Sequence, residues 1–558
     1  MTRILVLISA GIMAVLVACT PTPASDQATV SEDPAANKIV TEKSKPDVPG
    51  RDLIGDKTGG VLTKLSDDPA TLDPHLATDA TSAAVIVEVY GGLVTIDPDL
   101  KIIPDLAKNW EISPDGTAYT FYMRDNAKFH NGKTVSAEDF KWSIERAADP
   151  TTGSPVVDQY LGDIVGVEDK LNAKSAEIQG VALVDDVTLT VRVDAAKAYF
   201  LAKLTYPTAY VLDRENVESG RRWFLTPNGT GPFKLEQYLP GDVLTLARHE
   251  NYHLGPAFID KAKFILSGGA SMLMYENDEI DVSGVGLADI DRVLDASSPL
   301  NAEVVRRPPS FSTSYLGLNV NMPPLDDVKV RQALNYSINR EEIATIVLAD
   351  LVVPAKGILP PGFPAYNPDI RGYSFDIEKA RSLLKESKYG DDLDNIPAIT
   401  LTTPGSFGAA NVGLDLEVIL NTWREELGMN IEIQQTDFAT FLQDLQRRRF
   451  HMFDIGWIAD YPDPQNFLDI LFHSESSSNH TNYASSRVDN LLISARIETD
   501  EKRRFKIYNE VENIILEDAP WVPLWHSGES FVLIKPWVKD FYLPPIQIPH
   551  LRYVYIQK

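Results

Sequence analysis

The chain carries 79 acidic against 52 basic residues over 558 positions, a formal charge of −27, and 44% of it is hydrophobic. That excess of negative charge argues against a nucleic-acid partner and against adsorption to anionic lipid, and a single cysteine rules out an internal disulfide. A folded body of about 500 residues is too large for one hydrophobic core, so two or more lobes are expected.

Residues 1–19 read as a leader. Arg3 supplies a short positive start, and Ile4 to Val17 form an apolar run of fourteen, short of the ~20 residues a membrane-spanning helix needs. The run ends Leu16-Val17-Ala18-Cys19, which resembles a bacterial lipobox: small residues before a cysteine that is acylated and becomes the new N-terminus. Cys19 is therefore the expected lipidation site, its palmitate-type chains anchoring the protein to a membrane at ~0.8 kcal/mol per buried CH₂. The plainer alternative is a buried cysteine near a first helix. Residues 20–55 are rich in Pro, Ala, Ser, Thr, Asp and Lys. They bury too little apolar surface to offset ordering entropy and read as a flexible tether spanning roughly 30 Å.

Gly59 to Leu65 reads as an opening strand, with turns at Asp67-Asp68-Pro69 and Leu72-Asp73-Pro74. Thr81 to Val94 is apolar and punctuated by Gly91-Gly92, which predicts a helix with Tyr90 near its end. Asp115-Gly116 stands between alternating runs (Trp110, Ile112; Tyr119, Phe121, Met123), a hairpin signal. Phe129-His130-Asn131-Gly132 predicts another turn, and the lone His130 reads as a turn residue rather than a metal ligand. Ser136 then offers an N-cap with Asp139 at N3, and Ala137, Phe140, Ile144 and Ala147 share one helical face. Gly229-Thr230-Gly231 lacks the Lys-Ser/Thr pair and helix start of a phosphate loop, so it reads as a tight turn before a strand from Phe233 to Tyr238.

Phe311 to Asn319 is extended. By alternation Ser312 and Tyr315 are expected to face a cleft while Leu316 and Leu318 face a core. Asp327 and Asp376 cap helices bearing Val330, Ala333, Leu334 and Ile338, and Ala380, Leu383 and Leu384. Arg331 and Arg340 are expected to point outward or to a neighbouring carboxylate. Arg447-Arg448-Arg449 reads as a solvated helix end, with a ligand carboxylate as its other possible partner.

The stretch from His451 to Pro464 organises the functional reading. Met452, Phe453, Ile455, Trp457 and Ile458 form a strand-like run that two prolines, Pro462 and Pro464, bring to a stop. Asp460 then stands at the mouth of a strand beside Trp457 and Tyr461. A carboxylate held there suits an ammonium group, with charge-assisted hydrogen bonds on one side and aromatic faces on the other. The alternative is a surface turn in which Asp460 accepts only backbone N–H bonds.

Several of these landmarks together resemble the family-5 extracellular solute-binding proteins of ABC importers, the oligopeptide-, dipeptide- and nickel-binding group. They are Leu106-Ala107-Lys108-Asn109-Trp110, Asp115-Gly116, Tyr119-Thr120-Phe121, Arg124, Phe129-His130-Asn131-Gly132 and Ala137-Glu138-Asp139-Phe140. Gly229 to Leu235, Tyr315 to Asn319, Asp327 to Asn339, Gly456 to Pro464 and Ala519 to Leu524 agree, so the resemblance covers roughly Gly59 to Phe541. It implies an α/β, periplasmic-binding-protein-like fold (type II, cluster C) of two lobes with an extra domain in the N-terminal half. Lobe I would comprise 56–95, 190–310 and 535–558, the extra domain 96–189, and lobe II 311–534.

The resemblance also implies a monomeric, lipid-anchored receptor outside a bacterial cytoplasmic membrane. It would close on a peptide between its lobes and pass it to the transmembrane subunits of an ABC permease, with no enzymatic activity, no cofactor and no resident metal. In the peptide-binding members an aspartate for the ligand α-amine falls in a Gly-Trp-x-x-Asp motif, here Gly456-Trp457-Ile458-Ala459-Asp460. Some members place an arginine six residues earlier to meet a ligand carboxylate; here that position is Asp454, so the carboxylate partner is unassigned. Other guests (a sugar, an amine, a nickel complex) and a solute-sensing role stay open. A remoter alternative is an anchored hydrolase using Asp460 and Asp463 as paired carboxylates.

Overall fold

In the computed structural model, residues 59–266, 268–393, 396–405 and 413–557 are described. The leader, Cys19 and the tether lie outside the described residues. No helix among those described is long and apolar enough to cross a membrane.

Three sheets carry the architecture. A seven-stranded mixed sheet has the order Val304–Arg307, Ser530–Ile534, Val282–Gly284, Val61–Leu65, Lys261–Ile265, Val243–Arg248, Phe233–Leu239. A six-stranded mixed sheet runs Val352–Pro354, Trp521–Ser527, Ser312–Leu318, Met452–Ile458, Ile399–Gly405, Ile431–Asp437. Between the first two strands of the seven-stranded sheet in chain order, Val61–Leu65 and Phe233–Leu239, the chain lays down an antiparallel sheet of Ala107–Ile112, Ala118–Met123, Thr188–Arg192 and Val181–Asp185. The period-2 pattern of Ala118–Met123 buries Tyr119, Phe121 and Met123 on one face, and Trp110 pairs opposite Phe121 across the expected hairpin.

The chain passes from the seven-stranded to the six-stranded sheet through residues 308–311 and returns through Gly528 and Glu529. These two crossings lie side by side, since the Ser310 amide donates to Ser527 Oγ at 3.1 Å. A Cβ on Gly528 would stand 2.5 Å from the Leu351 carbonyl oxygen, so only glycine fits the return crossing.

Local signals place many elements. Ser136 and Asp139 form a reciprocal capping box on helix Ala137–Ala147. Asp327 and Asp376 cap Val328–Tyr336 and Ile377–Glu386 through their side chains. The helix expected over Thr81 to Val94 is shorter, Ala80–Val89, and Val94 instead opens the strand Val94–Ile96. Asp105 is the reason: its Oδ2 accepts the Gly92 amide at 3.2 Å, drawing the chain off the helix axis directly after Tyr90.

Arg331 and Arg340 depart furthest from expectation. Both are buried, 7% and 3% exposed, and neither forms an ion pair with a carboxylate among the described residues. Arg331 donates to the carbonyls of Asp518, Ala519 and Leu325, and Arg340 to those of Pro523 and Asn335 and to Asn335 Oδ1. A guanidinium has five N–H donors in a fixed fork, enough to satisfy chain ends that no regular ladder reaches. Arg331 therefore fastens its helix to the end of helix Glu501–Asp518, and Arg340 fastens its own to the strand Trp521–Ser527.

Candidate ligand-binding site

Strand Met452–Ile458 is the central member of the site. It pairs antiparallel with Ser312–Leu318 and parallel with Ile399–Gly405. It leaves the sheet at Ala459, whose amide donates to the Phe311 carbonyl at 2.8 Å, and a proline-bounded turn leads into helix Gln465–Phe472. Asp460 sits on that turn.

Asn466 fixes the turn. Its Oδ1 accepts the Asp460 amide at 3.0 Å and the Trp457 indole N–H at 3.1 Å, while its Nδ2 donates to Asp460 Oδ2 at 2.8 Å. A second donor arrives from the other half of the chain: Tyr160 Oη donates to the same oxygen at 2.5 Å, across 300 positions of sequence. Tyr160 is fully buried, stacked on Tyr206 at 3.7 Å between ring centroids and set edge-on to Tyr461 at 6.4 Å.

Both donors to Asp460 are neutral, and Oδ1 accepts no hydrogen bond from the described residues. Burial raises the Asp460 carboxyl to about 6, and the bonds from Asn466 and Tyr160 only partly restrain the shift. Burial and the neighbouring Asp460 push the Tyr160 hydroxyl well above its ordinary range, so it remains a donor. Asp79, whose charge acts on Tyr206 as that of Asp460 does, caps helix Ala80–Val89 through Oδ1 and keeps Oδ2 buried without a donor. The site thus gathers carboxylate oxygens and tyrosine rings, and no cation among the described residues pairs with Asp460.

The other expected site residues take different places. Trp457 is half-buried and helps hold Asn466. Tyr461 is fully buried, its hydroxyl bonded to Gln465 Oε1 at 2.5 Å. Tyr315 is 2% exposed and stacks on Trp521 at 3.3 Å between centroids. Ser312 is half-buried with its Oγ 3.0 Å from that of Ser310. Three positions separate Ser312 from Tyr315, so on a pleated strand they point to opposite faces.

Asp463, the second carboxylate of the turn, accepts a bidentate pair from Arg504 at 2.9 and 2.8 Å. Asp454 lies in a buried, anionic neighbourhood: burial and Asp415 raise its carboxyl to about 6. His130 is half-buried, packed against His249 and bonded to the Gly231 carbonyl, and desolvation lowers it to about 3. Among the described residues no cluster of His, Cys, Asp and Glu could hold a metal ion. Tyr160, Tyr206, Asp79 and Asn466 were not marked out by sequence. Only Asn466, six residues past Asp460 at the start of an apolar helix, carried a local hint.

A cavity of about 1180 Å³ lies between the two large sheets. Its walls include Lys64, Tyr238, Arg307 and His550 on the side of the seven-stranded sheet, and Gly405 and Phe438 on the other. Gly405 ends a strand that runs parallel to Ile431–Asp437, and Phe438 follows directly after that neighbour. Carboxyl ends of parallel strands are where open α/β sheets take ligands.

The family model for bacterial extracellular solute-binding proteins, family 5 middle, matches residues 101–479. The dipeptide-binding protein DppE of Bacillus subtilis is 27% identical over 490 residues, 85% of this chain and 88% of that one. The periplasmic oligopeptide-binding protein OppA of Escherichia coli is 28% identical over 531 residues, 92% of this chain and 95% of the other. The solved structure of the Escherichia coli murein tripeptide-binding protein MppA superposes with a TM-score of 0.80 at 27% identity, covering 90% of this chain and 99% of that one. Against an unliganded open form of MppA, at the same 27% identity and covering 90% and 98%, the TM-score is 0.64. The fold is thus the two-lobe α/β periplasmic-binding-protein-like fold, in an arrangement unlike that open form.

Proposed function

We propose a function from one premise: the chain belongs to the bacterial extracellular solute-binding proteins of family 5. The protein captures short peptides between its lobes outside the cytoplasmic membrane and delivers them to an ABC permease. Asp460 receives the peptide ammonium group, and the lipidated Cys19 with the tether of residues 20–55 keeps a monomeric receptor near its permease. Proteins named for dipeptide, oligopeptide and murein tripeptide binding are among its relatives, which supports a peptide as the guest.

The observation that carries this reading is the state of Asp460. Two neutral donors pin one carboxylate oxygen, the other accepts nothing from the described residues, and tyrosine rings surround the group. A guest ammonium would supply the missing positive charge and shift the carboxyl fully to its ionised form. Asp463 is neutralised by Arg504 and so makes a poor partner for acid–base work, which supports a receptor over a hydrolase.

Calorimetric titration of the soluble body with tripeptides and tetrapeptides tests this. Binding is expected for free-amine peptides and weak or absent for their N-acetyl forms, with no cleavage product by mass spectrometry. Equal affinity for both forms sinks the assignment of Asp460. Retention of a Cys19→Ser variant in the membrane fraction sinks the anchor.

A further inference from the structure

The wall of the large cavity holds two cations, Lys64 and Arg307, that form no ion pair among the described residues. Lys64 lies over the Phe264 ring, its Nζ 5.4 Å from the centroid, and makes no hydrogen bond or ion pair among the described residues. Arg307, at the end of strand Val304–Arg307, likewise has none, and its Nε is buried without an acceptor. This is unusual in a chain with 27 more acids than bases, where nearly every other buried cation is satisfied, as Arg331, Arg340 and Arg504 are.

The surrounding groups do not neutralise the pair. Glu88 is a carboxylate that acts on Lys64, but its Oε1 accepts the amides of His550 and Leu551, and burial raises it to about 7. His550 is held neutral, lowered to about 4 mainly by burial. Asp68 is engaged by Tyr238 Oη and the Gly241 amide, and Asp437 caps the Thr440 amide across the cavity. Asp67 is exposed. Burial, together with Arg307, lowers the Lys64 ammonium, as two like charges withdrawn from water would. A partly desolvated cation pair of this kind is destabilising unless an anion fills it.

Building on the peptide-receptor reading, we propose that Lys64 and Arg307 form the subsite for the guest's terminal carboxylate. The guest then lies with its amine at Asp460 and its carboxylate in the cavity. Asp460 itself is not part of the cavity wall, but the chain links the two places. Ala459 is hydrogen-bonded to Phe311, and Arg307 is four residues before Phe311. Four extended residues reach at most ~14 Å, so the two backbones stand within roughly 20 Å. At ~3.3 Å per residue, an extended guest engaging both ends has at most about six residues.

Randomised tetrapeptide pools, one as free acids and one as C-terminal amides, offered to the whole protein and read by native mass spectrometry, test the subsite. Calorimetry on the best-bound sequence gives the affinities. The acid is expected to bind at least tenfold tighter than the amide. The double variant Lys64→Met/Arg307→Met, whose aliphatic bulk preserves packing, is expected to bind acid and amide alike, whereas Arg307→Lys keeps the preference. Circular dichroism and melting confirm that each variant is folded. Equal binding of acid and amide by the unaltered protein overturns the subsite while leaving Asp460 intact. So does a preference that survives in a folded double variant. Failure of both pools to bind overturns the peptide reading and the subsite with it.

Discussion

Asp460 and Asp463 stand three residues apart on one proline-bounded turn, and the fold treats them in opposite ways. Asp463 is 8% exposed and clamped by the two-pronged guanidinium of Arg504, itself 5% exposed on helix Glu501–Asp518. Asp460 receives only an amide and a phenol, both uncharged, on one oxygen. The first carboxylate has its counter-charge built in and serves the architecture. The second has no counter-charge among the described residues, as its proposed role of receiving a guest ammonium requires. Residue type does not separate them; what packs against each does.

The largest effect that would sharpen this contrast comes from the built-in pair. Arg504→Met leaves Asp463 buried and unpaired and is expected to lower stability by about 3–5 kcal/mol in urea unfolding. A loss under 1 kcal/mol would mean the two carboxylates are not so different. Asp460→Asn keeps an acceptor for Tyr160 and Asn466, so stability should hold within about 1 kcal/mol while affinity for free-amine peptides falls by about 2–5 kcal/mol. The reverse pattern, lost stability with unchanged affinity, would make Asp460 another architectural group.

Glu512 extends the comparison, being a buried carboxylate that receives only the amides of Ile358 and Leu359. Burial raises it to about 7. The folded protein therefore holds a proton there between about 4.5 and 7 that the unfolded chain releases. Its contribution to stability is greatest below about 4.5 and is lost as pH rises through 7. Glu512→Gln should flatten that part of the melting-temperature profile and stabilise at pH 8 by about 3 kcal/mol at most.

Asp460 titrates near 6 and must be ionised to hold an ammonium, so lowering the pH from 7 to 5 should weaken free-amine peptides about tenfold. Asp460→Asn should abolish that slope, as calorimetry at the two pH values would read. Smallest of all, Trp457→Phe removes one hydrogen bond to Asn466 and should reduce affinity by about 0.5–1.5 kcal/mol.

Sequence carried the parts of this molecule that short-range rules govern. The Asp115-Gly116 hairpin, the Ser136–Asp139 capping box and the strand ending before Pro462 all follow from spacing and turn chemistry, and all are present. Asp460 stands out in the sequence because a strand end, two prolines and two aromatics fall within eight residues. Its partners do not, because Tyr160 comes from 300 positions away and no local pattern distinguishes it from a core tyrosine. Arg331 and Arg340 were misplaced for the same reason. A helical wheel sees a polar residue on an outer face, but not the carbonyls that residues 518–523 present to it.

The paired crossings fix how the halves can move. Segments 308–311 and 528–529 are short, adjacent and tied by Ser310 and Ser527, so together they act as a door's pin and permit swing about a single axis, not sliding. A swing about that pin would bring the same side chains to the same stations each time the halves met. Under the proposed receptor role, a guest would then be selected by whether it fits between two surfaces of set shape.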